Sequence, residues 1–138
     1  MGYRTLNQVP KALVVEDDPF TSELLQEILN TQGFEVMTAV EGESAAALFA
    51  KEPFQSIFLD LNVPGLDGLE LTRRIRSSAT NKSTLVVMIT GSEGRKTMED
   101  AFAAGATLFL SKPVDRRMLL RLLGMIRERG RVETRSAS

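Results

Sequence analysis

The chain contains neither cysteine nor histidine. The first absence removes disulfide frameworks, thiolate nucleophiles and cysteine zinc sites; the second removes imidazole ligands, bases and phosphoryl carriers. Ser-His-Asp and Cys-His mechanisms fall with them. A surplus of one charge is missing too. Seventeen basic and eighteen acidic side chains leave a net charge of −1, too balanced for a general polyanion-binding surface, so no nucleic-acid partner is expected. No apolar run approaches the ~20 residues that span a bilayer, and the first ten residues lack the apolar core of a signal peptide. Leu6 stands where a myristoylation signal wants Ser or Thr. These absences lead to the expectation of a cytoplasmic protein without a membrane partner. Two phosphate-binding signatures are also absent: there is no G-x-x-x-x-G-K-[ST], and no G-x-G-x-x-G follows the first apolar run.

What remains is a chain of 138 residues, 43% hydrophobic, long enough for one domain around one core. Five short apolar runs, Ala12–Val15, 35–39, 56–59, 85–89 and 107–110, alternate with helical periods. Several are near-continuously apolar, which is how a parallel strand covered on both faces reads. The first helical stripe is Phe20, Leu24, Leu25 and Ile28, opened by Asp18 as N-cap with Pro19 at the first helical position and stopped by Gly33. The second lies around 44–51 and ends before Pro53. The third carries Leu69, Thr72 and Ile75 inward and Glu70, Arg73, Arg74 and Arg76 outward, with Asp67 as its cap. The fourth carries Met98, Ala101 and Phe102 and is closed by Gly105. The fifth, about 116–129, buries Leu119, Leu122, Leu123 and Ile126 and ends at Gly130. The expected organisation is an extension over 1–10, a domain over 11–129 and a polar, frayed tail over 130–138.

Five strand–helix units require right-handed crossovers, giving an open α/β sheet with helices on both faces. Ligands of such sheets bind beyond the carboxyl ends of the strands. There the sequence places Glu16-Asp17-Asp18, Asp60, Thr90-Gly91 and Ser111-Lys112-Pro113. Two unit charges about 4 Å apart repel by roughly 4 kcal/mol at an effective dielectric near 20, so grouping Glu16, Asp17 and Asp60 calls for a cation. Oxygen donors without His or Cys suit a hard divalent ion such as Mg²⁺. Asp18 reads more simply as a helix cap. Asp60 ends a buried strand and enters a stiff turn, Leu-Asn-Val-Pro64-Gly65; a carboxylate beside a divalent ion can attack phosphorus to form an acyl phosphate. Lys112 would pair with the acids and Thr90 offers a hydroxyl donor. The Lys112-Pro113 bond is a candidate for the cis form. Asp60-Leu-Asn62 opens like a calcium loop, but Pro64 occupies a ligand position and Leu71 stands where the bidentate Glu belongs.

With these motifs in this order, the chain resembles the receiver domain of bacterial two-component response regulators from about Lys11 to Arg129. Leu-Val-Val-Glu16-Asp17-Asp18 is similar to the family's acidic pair, and Phe-Leu-Asp60-Leu-Asn-Val-Pro64-Gly65-Leu-Asp-Gly68 to its phosphoacceptor segment. Met-Ile-Thr90-Gly91 resembles its switch hydroxyl and Phe109-Leu-Ser-Lys112-Pro113 its lysine turn. The resemblance implies a flavodoxin-like, doubly wound sheet of order 2-1-3-4-5. It also implies that Asp60 takes a phosphoryl group from a histidine kinase or phosphotransfer protein. Mg²⁺ would be held by Asp17, by Glu16 through water, by Asp60 and by the Asn62 carbonyl, with Lys112 pairing with Asp60. Thr90 and Phe109 would act as the switch pair, changing an α4-β5-α5 surface read by a downstream protein or fused output domain. The family often has Tyr where Phe109 stands, so a hydroxyl is missing there. Asn62 and Glu93 are expected to tune the lifetime of the phosphorylated state. The expected role is signalling rather than enzymatic turnover. Two alternatives are a phosphate-independent interaction domain (a pseudo-receiver) and a receiver module cut from a longer regulator or hybrid kinase. A metal-dependent phosphohydrolase is disfavoured by the lack of a second nucleophile or dedicated base.

Overall fold

The computed structural model describes residues 9–91 and 94–137, with side chains described through Ile126. The expected extension falls largely on residues outside this range, as does Glu93. Five strands and five helices alternate: β1 (Lys11–Val15), α1 (Pro19–Thr31), β2 (Glu35–Ala39), α2 (Gly42–Lys51), β3 (Ser56–Asp60), α3 (Gly68–Ser77), β4 (Leu85–Thr90), α4 (Arg95–Ala104), β5 (Leu108–Ser111) and α5 (Arg116–Ala137). All strands are parallel, in the order β2-β1-β3-β4-β5. The alternation of apolar runs implied the open sheet with helices on both faces, and the doubly wound strand order is the one the resemblance implied. No helix among the described residues is long and apolar enough to cross a membrane.

Strand side chains alternate between two cores with period two, as the pleat requires. Leu13, Val15, Ile57, Leu59, Val86 and Met88 face α2, α3 and α4, meeting Ala45, Phe49, Leu71, Ile75 and Ala101. Ala12, Val14, Phe58, Val87 and Ile89 face α1 and α5, meeting Leu25, Ile28, Leu29, Leu119, Leu122 and Leu123. β1, β3 and β4 are thus covered on both sides, which explains their unbroken apolar sequences; the edge strands β2 and β5 are partly exposed. Capping follows the sequence signals. Asp18 accepts from the amides of Phe20 and Thr21 and from the Thr21 hydroxyl, and Asp67 accepts from the Glu70 amide at 2.8 Å. The hydroxyl bond, more than the amides, draws the Asp18 carboxyl below its usual range.

Four expectations need correction. Phe20 is 78% exposed: α1 buries Thr21, Leu25, Ile28 and Leu29, a stripe that leaves Phe20 one position outside it in the first turn. Met98 and Phe102 are 44% and 45% exposed; α4 buries only Ala101 and Ala104, small residues that let the helix lie close to the sheet. Arg76 does not point outward. Its Nε donates to the Gly105 carbonyl at 2.9 Å, Nη1 to those of Lys82 and Thr84, and Nη2 to the Thr107 hydroxyl, with its methylene stem against the backbone of Gly105. Finally, α5 runs through Gly130 to Ala137 rather than stopping there; one glycine costs a helix interior about 1 kcal/mol, too little to end it.

The amino-terminal pole of the sheet is fastened by a residue that no pattern in the sequence singled out. Asn81, 2% exposed, accepts from the Phe54 amide at 2.7 Å and donates through Nδ2 to the carbonyls of Phe49 and Glu52 at 2.6 and 2.7 Å. It ties the end of α2 and the start of β3 to the turn before β4. Each buried backbone group stranded without a partner costs about 1–3 kcal/mol. Asn81→Ala should therefore lower the unfolding free energy by about 3 kcal/mol in a urea titration, and Asn81→Asp, which keeps the acceptor but not the donors, should also destabilise. A loss below about 1 kcal/mol for the alanine variant would show that water replaces the amide there.

Candidate functional site

Because every strand runs the same way, all five carboxyl ends open on one rim. Register sets what meets there. Asp60 is the last residue of β3 and pairs with Ile89; Thr90, one residue further along β4, pairs with Ser111, and the Lys112 amide donates to the Thr90 carbonyl at 2.9 Å. Glu16 follows β1 directly, its amide donating to the Ala39 carbonyl of β2 at 3.0 Å. Lys112 precedes Pro113 across a cis peptide bond, as considered from the sequence.

The Lys112 ammonium reaches back across the rim to both buried acids. Its Nζ is 2.7 Å from Asp60 Oδ2, 3.0 Å from Glu16 Oε1 and 3.2 Å from Glu16 Oε2. Glu16 is 2% exposed and Asp60 6%, whereas Asp17 faces solvent. Burial pushes the Glu16 carboxyl above its ordinary range; the Lys112 and Asp18 hydrogen bonds oppose that shift, and the charge of Asp60 reinforces it. Burial alone would lower the Lys112 pKa, but its hydrogen bonds to Asp60 and Glu16 outweigh that and raise it, so the ammonium stays charged. The other Asp60 oxygen, Oδ1, accepts from the Asn62 amide at 3.0 Å, which orients the carboxylate from its own loop.

The three acids also meet as a candidate metal centre. Glu16, Asp17 and Asp60 can each offer one carboxylate oxygen, all lying within 4.8 Å of one another. Glu16 Oε1, although close to the ammonium, accepts no hydrogen bond despite being buried. An all-oxygen set with three negative charges and an unsatisfied buried acceptor fits a hard divalent cation. Thr90 is fully buried beside this group, and Phe109 on β5 is half-buried against the core on the side of α4. Thus Glu16, Asp17, Asp60 and Lys112 are brought together, with Asn62 bonded to Asp60 and Thr90 on the adjoining strand end. Gly65 and Gly68 mark the loop after Asp60 as a stiff turn in the sequence, but the close packing of Gly68 on it leaves no mark there. Gly68 abuts the Asp60 carbonyl so closely that a Cβ there would lie 2.9 Å from it; the Asp67-Gly68 pair was the available signal, and it read only as a turn and a cap.

A parallel α/β sheet with an acid pocket and a lysine at its carboxyl edge defines a doubly wound domain with a candidate cation site. The profile of the response regulator receiver domain matches residues 12–124, and this chain belongs to that family. It is 36% identical over 109 residues to the response regulator PleD of Caulobacter vibrioides, covering 79% of this chain and 24% of that protein. It is 35% identical over 117 residues to the transcriptional regulatory protein AruR of Pseudomonas aeruginosa, covering 81% and 47%. The chain therefore spans between a quarter and a half of these curated relatives. Among solved structures it is similar to the chemotaxis protein CheY4 of Vibrio cholerae, with a TM-score of 0.80 and 30% identity over 86% of this chain and 99% of that one. It is also similar to the receiver domain of a sensor histidine kinase from Pseudomonas aeruginosa, solved with magnesium coordinated in its active-site cleft (TM-score 0.76, 27% identity, 84% and 95% covered).

Removing the counter-charge tests the electrostatics of the pocket directly. Taking one partner from a buried ion pair costs about 3–5 kcal/mol, because the remaining charge stays desolvated. Lys112→Met, measured by chemical denaturation without divalent ions, should lose about 3 kcal/mol. Saturating Mg²⁺ should return part of that loss, since it supplies positive charge to the folded state alone. A variant as stable as the parent would mean that Lys112 contributes nothing to holding the acids.

Proposed function

We propose that this chain is the phosphoacceptor module of a two-component system, with Asp60 as the acceptor and a histidine kinase or phosphotransfer protein as the donor. The observation that carries this reading is the Lys112 ammonium bridging Asp60 at 2.7 Å and Glu16 at 3.0 Å beside exposed Asp17. An Asp60 carboxylate oxygen attacks the phosphorus of a phosphohistidine. An O–P bond forms as the N–P bond breaks, and the electron pair stays on the departing imidazole nitrogen, which takes a proton from solvent. Mg²⁺, when bound by Asp17, Asp60, the Asn62 carbonyl and, through water, Glu16, supplies charge neutralisation for the phosphoryl oxygens.

The remaining residues handle the change in charge. Three carboxylates are matched by Mg²⁺ and Lys112, and the new phosphoryl group adds about −2. Lys112 passes from Asp60 to a phosphoryl oxygen, and the Thr90 hydroxyl with neighbouring amides takes up the remainder. Phe109, half-buried on β5, follows Thr90 inward. The surface of α4, β5 and α5 changes accordingly. Met98 and Phe102 on α4 and Met118 and Leu120 on α5 are exposed apolar side chains suited to a protein reader. That reader is a downstream protein or a fused output domain of a longer regulator, and the module acts in the cytoplasm without turning over a free substrate.

Incubation with acetyl phosphate and Mg²⁺ should add one phosphoryl group to the wild-type chain, read by intact-protein mass spectrometry. Asp60→Asn should abolish the adduct while leaving the thermal unfolding transition cooperative. Undiminished labelling of that variant would remove Asp60 as acceptor. A wild-type chain that takes no phosphoryl group from acetyl phosphate or from any kinase would instead leave a phosphate-independent interaction domain.

A further inference from the structure

The loop over 61–67, which carries Asn62, is seated against an element that contributes nothing to the acid pocket. Its far end is gripped by Gly68: the Gly68 amide donates to the Leu61 carbonyl at 2.8 Å, and a Cβ at Gly68 would sit 2.7 Å from Leu61 Cα. Its middle is gripped by Gly42, the buried first residue of α2. The Gly42 amide donates to the Pro64 carbonyl at 3.0 Å, directly before Gly65 turns the chain with φ +87°. A Cβ at Gly42 would stand 2.6 Å from Leu66 Cβ, 2.8 Å from its amide nitrogen and 2.9 Å from its carbonyl oxygen. Two of those three atoms are backbone, so no rotamer change of Leu66 relieves the clash.

One of the two surfaces must then move, and α2 is the one held in place. Ala45 and Phe49 anchor it in the core, the Asn81 amide holds the carbonyl of Phe49 near its end, and Glu43 meets Arg74 of α3 at 3.7 Å. The loop is pinned to that core through Val63, but Asn62, Pro64, Gly65 and Asp67 around it are exposed, and this outer part is what yields. Displacing it shifts Asn62, whose amide orients Asp60 Oδ1 at 3.0 Å.

We propose that Gly42 is a positioning residue: its missing side chain fixes how far the acceptor loop lies from the acids, and so sets the affinity of the pocket for a divalent cation. This rests on the metal-assisted reading of the site. Coupling between two sites is reciprocal. A cation held by the loop and the acids therefore makes the Gly42–Pro64 hydrogen bond open less often, and the Gly42 amide exchanges more slowly with solvent.

The test is calorimetric titration of MgCl₂ into the wild-type chain, Gly42→Ala and Gly33→Ala. Gly33, just before β2, has open space where a Cβ would be but a φ of +90° that strains any side chain, so it controls for destabilisation by a glycine replacement that touches no part of the acceptor loop. The wild type should bind one ion, Gly33→Ala should match it, and Gly42→Ala should bind at least tenfold more weakly. Amide exchange of the wild type, followed by NMR with and without Mg²⁺, should show slowing at Gly42; this measurement decides if Gly42→Ala does not fold. Wild-type affinity in Gly42→Ala, or a Gly42 exchange rate indifferent to Mg²⁺, overturns the proposal and leaves the phosphoacceptor reading standing. A wild-type chain that binds no Mg²⁺ overturns the metal-assisted reading and this proposal together.

Discussion

The structure turns on one ammonium group shared by two buried carboxylates. Glu16 and Asp60 are 96 and 52 residues from Lys112 along the chain, yet both lie within 3.0 Å of its Nζ. Each acid alone would be an expensive object to desolvate. Together with Lys112 they make a pocket that carries one excess negative charge before exposed Asp17 is counted. Such a centre holds its side chains in position ahead of any reaction, because an unpaired charge inside the domain costs more than the ordered geometry does. The residual negative charge and the unsatisfied Glu16 Oε1 leave it receptive to positive charge.

That convergence depends on strand direction. Parallel strands buried on both faces align their carboxyl ends, and a register slip of one residue in β3 or β4 would carry Asp60 or Thr90 to the opposite face of the sheet. The alternation of the two cores makes such a slip prohibitive, since it would exchange Leu59 with Phe58 and Met88 with Ile89 between different sets of helices. The hydrophobic pattern that builds the sheet thus also aims the chemistry.

Much of this was legible beforehand. The apolar runs located the strands within a residue or two, and the rule that ligands gather beyond parallel strand ends selected Glu16, Asp17, Asp60, Thr90 and Lys112. Periodicity did worse on the helices. A 3.6-residue stripe can be drawn through Phe20 or Met98, but whether a helix presents that side to the sheet depends on its rotation, which its neighbours set. Arg76 and Asn81 were illegible for another reason: apart from the Thr107 hydroxyl, the partners described for them are backbone carbonyls and amides, which leave no mark in a sequence. The clearance at Gly42 is likewise a matter of tenths of an ångström between segments 24 residues apart.

The two poles of the sheet are specialised differently. The fastening by Asn81, Thr84 and Arg76 lies at the amino ends of the strands, and the acids and their lysine lie at the other, a full strand length away. What joins them is α2, whose far end Asn81 holds and whose first residue, Gly42, meets the acceptor loop, so a softening of the amino pole has a lever on the acids along one helix.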